Sequence, residues 1–385
     1  MSVMFQADLK TDPMAAGWSR GGAYPQGGAG FEGGWLPAGA GRPCVRVSRG
    51  VWQTPLLSVR PLAYYRLRFH AHAVAGGSYA FSFYDVRGNM LASDEYNPFE
   101  SSATWARREV FTQAREEAAA MRVSFIAGSG EVRLGAVQVT ETTVDEVLAW
   151  SDRLYAKLPP VQVGTVRGQF RHLAGPIRLL RRGGTLRLLV LGDSIANDLS
   201  NSQFHLLIDR LYPGSTVTLL RSVRAATGCT YYRRHVRRYV TDKAPDLVVI
   251  AGISHRCDAE AVRHVVEQTR QQMDRPVAFL VLTGAIKVPG PVVLRSFRRR
   301  GVSDEERRRR AAEAERVFYA ELAAVRDELG IATLDMRNVW ESYVAGRGRP
   351  RSWYQRDPIH ANARGKQILG RIVARCFLPK ACQET

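Results

Sequence analysis

Residues Leu186–Ser194 read Leu-Arg-Leu-Leu-Val-Leu-Gly-Asp-Ser, and the fold turns on how this stretch is interpreted. Leu186 to Leu191 is an apolar run broken only by Arg187, the pattern of a strand buried on both faces of a parallel sheet. It stops at Gly192-Asp193-Ser194, and helical spacing begins at Leu206, Leu207 and Leu211. Ligand sites of α/β folds gather beyond the carboxyl ends of such strands. A Ser delivered there on a turn is a candidate nucleophile. The same Ser also suits a plain helix cap, and the tripeptide alone fits both readings.

A second segment separates them. Asp357-Pro358-Ile359-His360 is followed by Ala361-Asn362 and a helical stretch over 363–377. An Asp three residues before a His, on one loop, supplies the base that takes a Ser proton and the carboxylate that orients its imidazole. Alone, the loop also reads as an Asp-Pro helix start. Paired with Gly192-Asp193-Ser194, it makes Ser194, Asp357 and His360 the catalytic candidates.

On these two segments the chain resembles the SGNH (GDSL-type) hydrolases. Gly192-Asp193-Ser194 matches their first block, and Asp357 with His360 matches their last. The resemblance covers about residues 185–377. It implies a three-layer, flavodoxin-like α/β domain with parallel strand order 2-1-3-4-5. It also implies ester hydrolysis by a Ser nucleophile with no metal and no cofactor. The oxyanion hole it implies uses the backbone of Ser194 and Gly228, the latter in Ala226-Thr227-Gly228-Cys229. Its third contributor is an Asn in the family. Here that block reads Gly252-Ile253-Ser254-His255, so Ser254 holds the Asn position and His255 follows it. Either side chain carries a hydrogen-bond donor. The G-x-S-x-G elbow of α/β-hydrolases is absent, which argues against that fold.

The surrounding pattern agrees. Strands are expected at Leu186–Leu191, Thr216–Val223, Leu247–Gly252, Val277–Thr283 and Ile331–Asp335. Helices are expected at Asn201–Leu211, Arg234–Thr241, Ala259–Met273, Asp304–Leu329 and Ala363–Phe377. This alternation predicts a parallel sheet with right-handed crossovers. Ser194, Gly228 and Ser254 each follow a predicted strand and so converge on one edge. Asp193, Asn197 and Tyr231 stand nearby as substrate-contact candidates; for Asn197, as for Asp198 and Asn201, capping and turn roles are favoured, and core packing suits Tyr231 equally. Arg298–Arg300 and Arg307–Arg310 flank Gly301. They read either as a dock for an acidic glycan or as a solvated face paired with Asp304, Glu305 and Glu306.

Residues 1–140 have a different texture. Short runs at Cys44–Val47, Leu56–Val59, Tyr64–Phe69, Tyr79–Tyr84, Met121–Ile126 and Val132–Val139 are separated by turns such as Ala75-Gly76-Gly77 and Arg87-Gly88-Asn89. This predicts an antiparallel β-sandwich or jelly roll. Trp18, Trp35, Trp52, Tyr64, Tyr65, Tyr84, Tyr96 and Trp105 fall here, and the layout resembles carbohydrate-binding modules. Exposed rings could stack on sugars, but for any single ring filling the core is the favoured reading. Residues 141–184 read as a linker: an amphipathic helix capped by Thr143, ended by Pro159-Pro160, then a basic crossing. The expected domains are therefore 1–140, a linker over 141–184, and 185–385.

The 385 residues carry a net charge of +19, with 55 Lys and Arg against 36 Asp and Glu. Such a field attracts acidic polysaccharide, nucleic acid or anionic lipid. No zinc-finger, RNA-binding or heptad pattern accompanies it, so nucleic acid is not expected. Cys44, Cys229, Cys257, Cys376 and Cys382 include no C-x-x-C pair. Buried thiols are favoured over bridges of Cys376 with Cys382 or Cys229 with Cys257. Asp8, Lys10 and Asp12 interrupt any secretory core, and no run has transmembrane length. The expectation is a soluble protein, cytoplasmic as written or exported by a leader outside this sequence. Its substrate is expected to be an acylated carbohydrate or other small ester. Lipid, aryl or thioester hydrolysis at the same site is the enzymatic alternative. The non-enzymatic one is a glycan-binding protein with a degenerate hydrolase domain.

Overall fold

The computed structural model describes residues 2–21, 30–37, 42–73, 77–93, 97–98, 101–127, 130–164, 169–255, 258–284, 303–346 and 348–378. Two compact units divide the chain, Met1–Trp150 and Ser151–Thr385. The division falls inside the helix Val144–Tyr155, where the sequence suggested a boundary at 140 and a linker over 141–184. Residues ahead of the division pack within the first unit: Arg66 Nη1 donates to Glu146 at 2.8 Å, and the Phe111 and Trp150 rings lie 5.3 Å apart. Residues beyond it belong to the second, where Arg371 lies 3.9 Å over the Tyr155 ring and donates to Asp152 at 2.9 Å.

The first unit is antiparallel throughout. Its main strands lie side by side in the order Ser102–Gln113, Tyr64–Ala73, Val132–Thr142, Cys44–Gln53, Ala120–Ala127, Gly77–Tyr84 and Met90–Ser93. The long strand Cys44–Gln53 serves both halves. Val45–Val47 pair with Val132–Leu134, and Gly50–Gln53 pair with Ser124–Ala127. Between them Gly50 sits at φ 93°, a backbone conformation that glycine adopts without strain. The expected sandwich is thus one continuous sheet curled over a common core.

That core holds the aromatic side chains. Trp18 stacks on Phe125 at 6.3 Å, and Phe125 meets Phe69 edge-on at 5.2 Å. Trp18, Trp52, Tyr64 and Tyr65 are buried, and Trp35, Tyr84 and Trp105 are half-buried. Among the described residues of this unit no aromatic ring is exposed, and Tyr96 lies outside them. Filling the core, the reading the sequence favoured for each ring, is the arrangement found for the described ones. A small curled sheet needs large side chains to fill its interior, and these rings supply that volume.

The second unit contains five parallel strands in the order Thr216–Val223, Thr185–Gly192, Leu247–Ala251, Ala278–Leu282 and Ala332–Leu334, which is 2-1-3-4-5. Thr185–Gly192 is central, paired along its length with Thr216–Val223 and on its other side with Leu247–Ala251. Its side chains alternate between faces. Leu189 and Leu191 share a core with Val262, Val265, Val266, Phe318 and Leu322 of the helices Ala259–Gln272 and Asp304–Leu329. Leu188 and Val190 point to the opposite face, and helices Phe204–Leu211 and Ala363–Arg375 pack together in this unit. Among the described residues four α-helices were not expected: Ala174–Arg181, Ser194–Ser200, Cys229–Tyr232 and Met336–Ala345.

Arg309 and Arg310 pair with Glu306 at 2.8 and 2.7 Å, the solvated-face arrangement, while Arg298–Arg300 lie outside the described residues. Cys44, Cys229 and Cys376 are buried thiols, and Cys257 and Cys382 lie outside the described residues. Among the described residues no helix is long and apolar enough to cross a membrane.

Candidate active site

The turn after the central strand is built by two glycines and one carboxylate. A side chain at Gly192 would meet the Ala251 carbonyl oxygen at 2.0 Å, so only glycine lets the first and third strands end this close together. Asp193 then caps the helix Ser194–Ser200, its Oδ1 accepting from the N–H groups of Ile195 at 2.9 Å and Ala196 at 3.3 Å. Its Oδ2 accepts from the N–H groups of Ile253 and Ser254, both at 2.8 Å, and from the Ser254 hydroxyl at 2.7 Å. Gly252, at φ 105°, leaves room for that carboxylate, because a Cβ there would lie 2.1 Å from Asp193 Oδ1. Asp193 therefore stitches the loop after the third strand onto the turn that carries Ser194.

Ser194 Oγ lies 2.9 Å from His360 Nε2, and His360 Nδ1 lies 2.7 Å from Asp357 Oδ2. Asp357 Oδ1 also accepts from the N–H groups of Ile359 at 2.8 Å and His360 at 2.9 Å, which folds the four-residue loop around its own carboxylate. Burial pushes the Asp357 carboxyl upward. The hydrogen bonds from His360 Nδ1 and from both backbone N–H groups, together with attraction to His360, outweigh it and hold the group below its ordinary value.

A buried charge cluster fastens this loop to the helix Ser194–Ser200. Asp198, one turn past Ser194, has a side chain with 0% exposure. Its Oδ1 lies 2.8 Å from Arg356 Nη1 and 3.4 Å from Lys366 Nζ, and its Oδ2 accepts from Ala361 N–H at 2.9 Å. Arg356 also donates to the Ala361 carbonyl at 2.6 Å, and its N–H to the His360 carbonyl at 3.0 Å. Asp357 and His360 thus sit between two residues, Arg356 and Ala361, that Asp198 grips directly. The sequence favoured a capping or turn role for Asp198 over substrate contact. Its helical spacing from Ser194 was visible, but its partners stand 158 and 163 positions away.

Gly228 begins the short helix Cys229–Tyr232 and abuts the loop after the third strand. A Cβ on it would lie 2.3 Å from the Ser254 carbonyl oxygen and 2.9 Å from the His255 nitrogen. The side chains of Ser254 and His255 do not take the place expected of them as oxyanion donors. The Ser254 hydroxyl is spent on Asp193, a full negative charge. The His255 ring is buried against Phe318, with Nε2 2.9 Å from the Leu282 carbonyl. Asp193 and Asn197 are buried as well, so neither is placed as a substrate contact. Tyr231 is half-buried at the surface, its ring 4.6 Å from His235 and 5.8 Å from Tyr239.

No family model matches the sequence, and no curated protein matches it. Similarity appears among solved structures, at low identity. A two-domain esterase active on acetylated mannans, co-crystallised with mannopentaose, is 16% identical, with 57% of this chain and 55% of that one covered and a TM-score of 0.42. This chain thus spans about half the length of that esterase. An acetylxylan esterase from Geobacillus stearothermophilus is 15% identical over 52% of this chain and 97% of that one, with a TM-score of 0.38. A xylan-binding domain of a Paenibacillus barcinonensis protein is 12% identical over 37% of this chain and 96% of that one, with a TM-score of 0.29.

Proposed function

We propose that this protein is a metal-independent serine ester hydrolase of the SGNH type, acting on short-chain acyl esters, above all O-acetyl esters, of a carbohydrate. The observation that carries this reading is the hydrogen-bonded chain from Ser194 Oγ through His360 to Asp357, with links of 2.9 and 2.7 Å. With Nδ1–H directed at Asp357, His360 Nε2 presents its lone pair to the Ser194 hydroxyl. Ser194 Oγ attacks the ester carbonyl carbon, and its proton passes to Nε2. Asp357 stabilises the resulting imidazolium. The N–H groups of Ser194, at a helix start, and of Gly228, after the second strand, face no intrahelical partner and suit the developing oxyanion. His360 then protonates the departing alcohol, and a water activated by the same imidazole releases the acid. The carbohydrate part of the reading rests on the sequence resemblance of residues 1–140 to carbohydrate-binding modules.

The test is hydrolysis of p-nitrophenyl acetate against longer-chain esters by wild type and Ser194→Ala. Acetate turnover lost in the variant, and falling with chain length, is the expected result. A rising profile with chain length favours the lipid or aryl esterase instead. A specific observation favours a second reading, a glycan-binding protein with a degenerate site: the hydroxyl at the third block is occupied by Asp193. Its mark is glycan binding by Ser194→Ala with no turnover by wild type.

A further inference from the structure

We infer that the ester substrate is polyanionic, an acylated glycan bearing carboxylate or sulfate groups. This inference rests on the hydrolase reading above and names its substrate class. The observation behind it is an uncompensated basic surface fixed to the nucleophile turn. Arg224 N–H donates to the Gly192 carbonyl at 3.0 Å, and the buried Tyr232 hydroxyl donates to the same oxygen at 2.8 Å. The segment 224–239 is thereby anchored two residues from Ser194. It carries Arg224, Arg233, Arg234, Arg237 and Arg238, and of these Arg224, Arg234, Arg237 and Arg238 are exposed. Among the described residues only Arg237 has a carboxylate partner, Asp242 at 3.5 Å.

Among the described residues, exposed arginines without a carboxylate partner also occur at Arg178, Arg181 and Arg182, so what distinguishes the segment 224–239 is its attachment to the turn that carries Ser194. On the helix Asp304–Leu329 four arginines have carboxylate partners in place: Arg309 and Arg310 share Glu306, Arg316 pairs with Glu313 and Arg326 with Asp327. A charge run that is merely a solvated face carries such partners. Among the described residues the segment beside the site carries one such pair, Arg237 with Asp242. Two of its other arginines are instead spread on rings, Arg224 5.0 Å over Tyr231 and Arg238 5.3 Å over Tyr239, with Arg224 Nη1 3.2 Å from the Tyr239 hydroxyl. The rings are covered by guanidinium groups and by one another, so the surface offers charge rather than flat stacking faces. That favours an acidic polysaccharide over nucleic acid, whose single strands are held by base stacking. A planar guanidinium pairs bidentately with a carboxylate or sulfate, and a one-signed surface raises the local concentration of a polyanion.

The experiment compares two charge-matched triple variants of the full chain. Arg224→Gln/Arg234→Gln/Arg238→Gln removes the surface beside the site. Arg178→Gln/Arg181→Gln/Arg182→Gln removes equal charge ahead of the central strand, where all three side chains are exposed. Acetate release is measured on acetylated polygalacturonate, an acetylated sulfated galactan and acetylated neutral mannan. Binding is measured separately by affinity electrophoresis in the de-esterified polymers, each protein carrying Ser194→Ala. The expected result is a preference for an acidic polymer whose kcat/KM ratio to mannan falls about tenfold in the site triple and stays within twofold in the matched triple. Retardation by the same acidic polymer follows the same order, and the polymer that responds identifies carboxylate or sulfate. Equal loss in both triples, or equal use of acidic and neutral polymers, overturns the inference while leaving the esterase intact. Retardation that the site triple weakens for duplex DNA but not for either glycan overturns it in favour of nucleic acid. Selective retardation by a glycan with no acetate release from any polymer sustains the surface and defeats the hydrolase reading.

Discussion

Replacing Asp198 by Asn tests whether the buried cluster holds the proposed triad in register. In the native protein one carboxylate faces two cations, and the side chains of Asp198, Arg356 and Lys366 are 0%, 6% and 7% exposed. An amide of the same size keeps one acceptor oxygen but no charge, so both buried cations lose the Asp198 carboxylate they share. Breaking a buried pair in this way costs about 3–5 kcal/mol, because the charge left behind is unsolvated. The second cation puts this site at the upper end of that range. The consequence for catalysis is separate. The Arg356–Ala361 loop loses its grip on the nucleophile helix, and a displacement of about 1 Å at His360 costs on the order of 10²-fold in rate. The assay is urea unfolding together with p-nitrophenyl acetate kinetics well below the melting temperature. Asp198→Asn should lower stability by about 4 kcal/mol and kcat by about 100-fold with KM little changed. Adding Lys366→Met should restore part of the stability, since it removes the excess positive charge. A variant within about 1 kcal/mol and threefold of wild type would refute the reasoning.

Four further outcomes follow from the same geometry. Asp357→Asn should lower kcat by about 10⁴-fold, because the amide no longer fixes the Nδ1–H tautomer of His360; the readout is single-turnover kinetics at matched folding. Ser254→Ala should cost about 1.5–3 kcal/mol of stability, a hydrogen bond to a charged group, and less than tenfold in kcat; a 100-fold loss of kcat at unchanged stability would instead make Ser254 an oxyanion donor. In Gly228→Ala the new Cβ meets the Ser254 carbonyl at 2.3 Å, so both loops must shift and kcat should fall at least about 100-fold, checked beside circular dichroism. Burial, and then the nearby Arg221 charge, lower His205 to about 3. The folded state therefore binds fewer protons than the unfolded chain between about pH 6.5 and 3. The stabilisation is complete above that window and is lost as pH falls through it, about 2 kcal/mol between pH 6.5 and 5. Urea midpoints for wild type and His205→Gln at the two pH values measure it.

The parallel sheet was legible because its strands are buried on both faces, so each of Leu186–Leu191, Thr216–Val223 and Leu247–Gly252 announces itself by composition alone. The helix Ser194–Ser200 was not, although it carries the proposed nucleophile. It is buried from Ile195 to Ser200, polar residues included, and shows no amphipathic stripe to read. In the first unit the strand Ser102–Gln113 was passed over for the opposite reason, since Arg107, Arg108 and Glu109 mark it as a charged edge rather than a core strand. Ser194, Asp357 and His360 were readable from local spacing. The fate of Ser254 was not, because it depends on where the Asp193 carboxylate points, and Asp198 was hidden by the distance in sequence to its partners.

The strand Cys44–Gln53 has one more consequence, for the order in which the first unit assembles. Its two ends pair with different halves of a single curled sheet, through partners far along the chain at Ser124–Ala127 and Val132–Leu134. Neither half can complete its ladder without this strand, so neither is an autonomous folding module. Loop closure over some eighty residues must precede the reward of pairing, which makes the unit a slow folder of high contact order with one rate-limiting step. Gly50 at the midpoint is then a kinetic pivot, and any residue that resists its left-handed backbone delays both halves together.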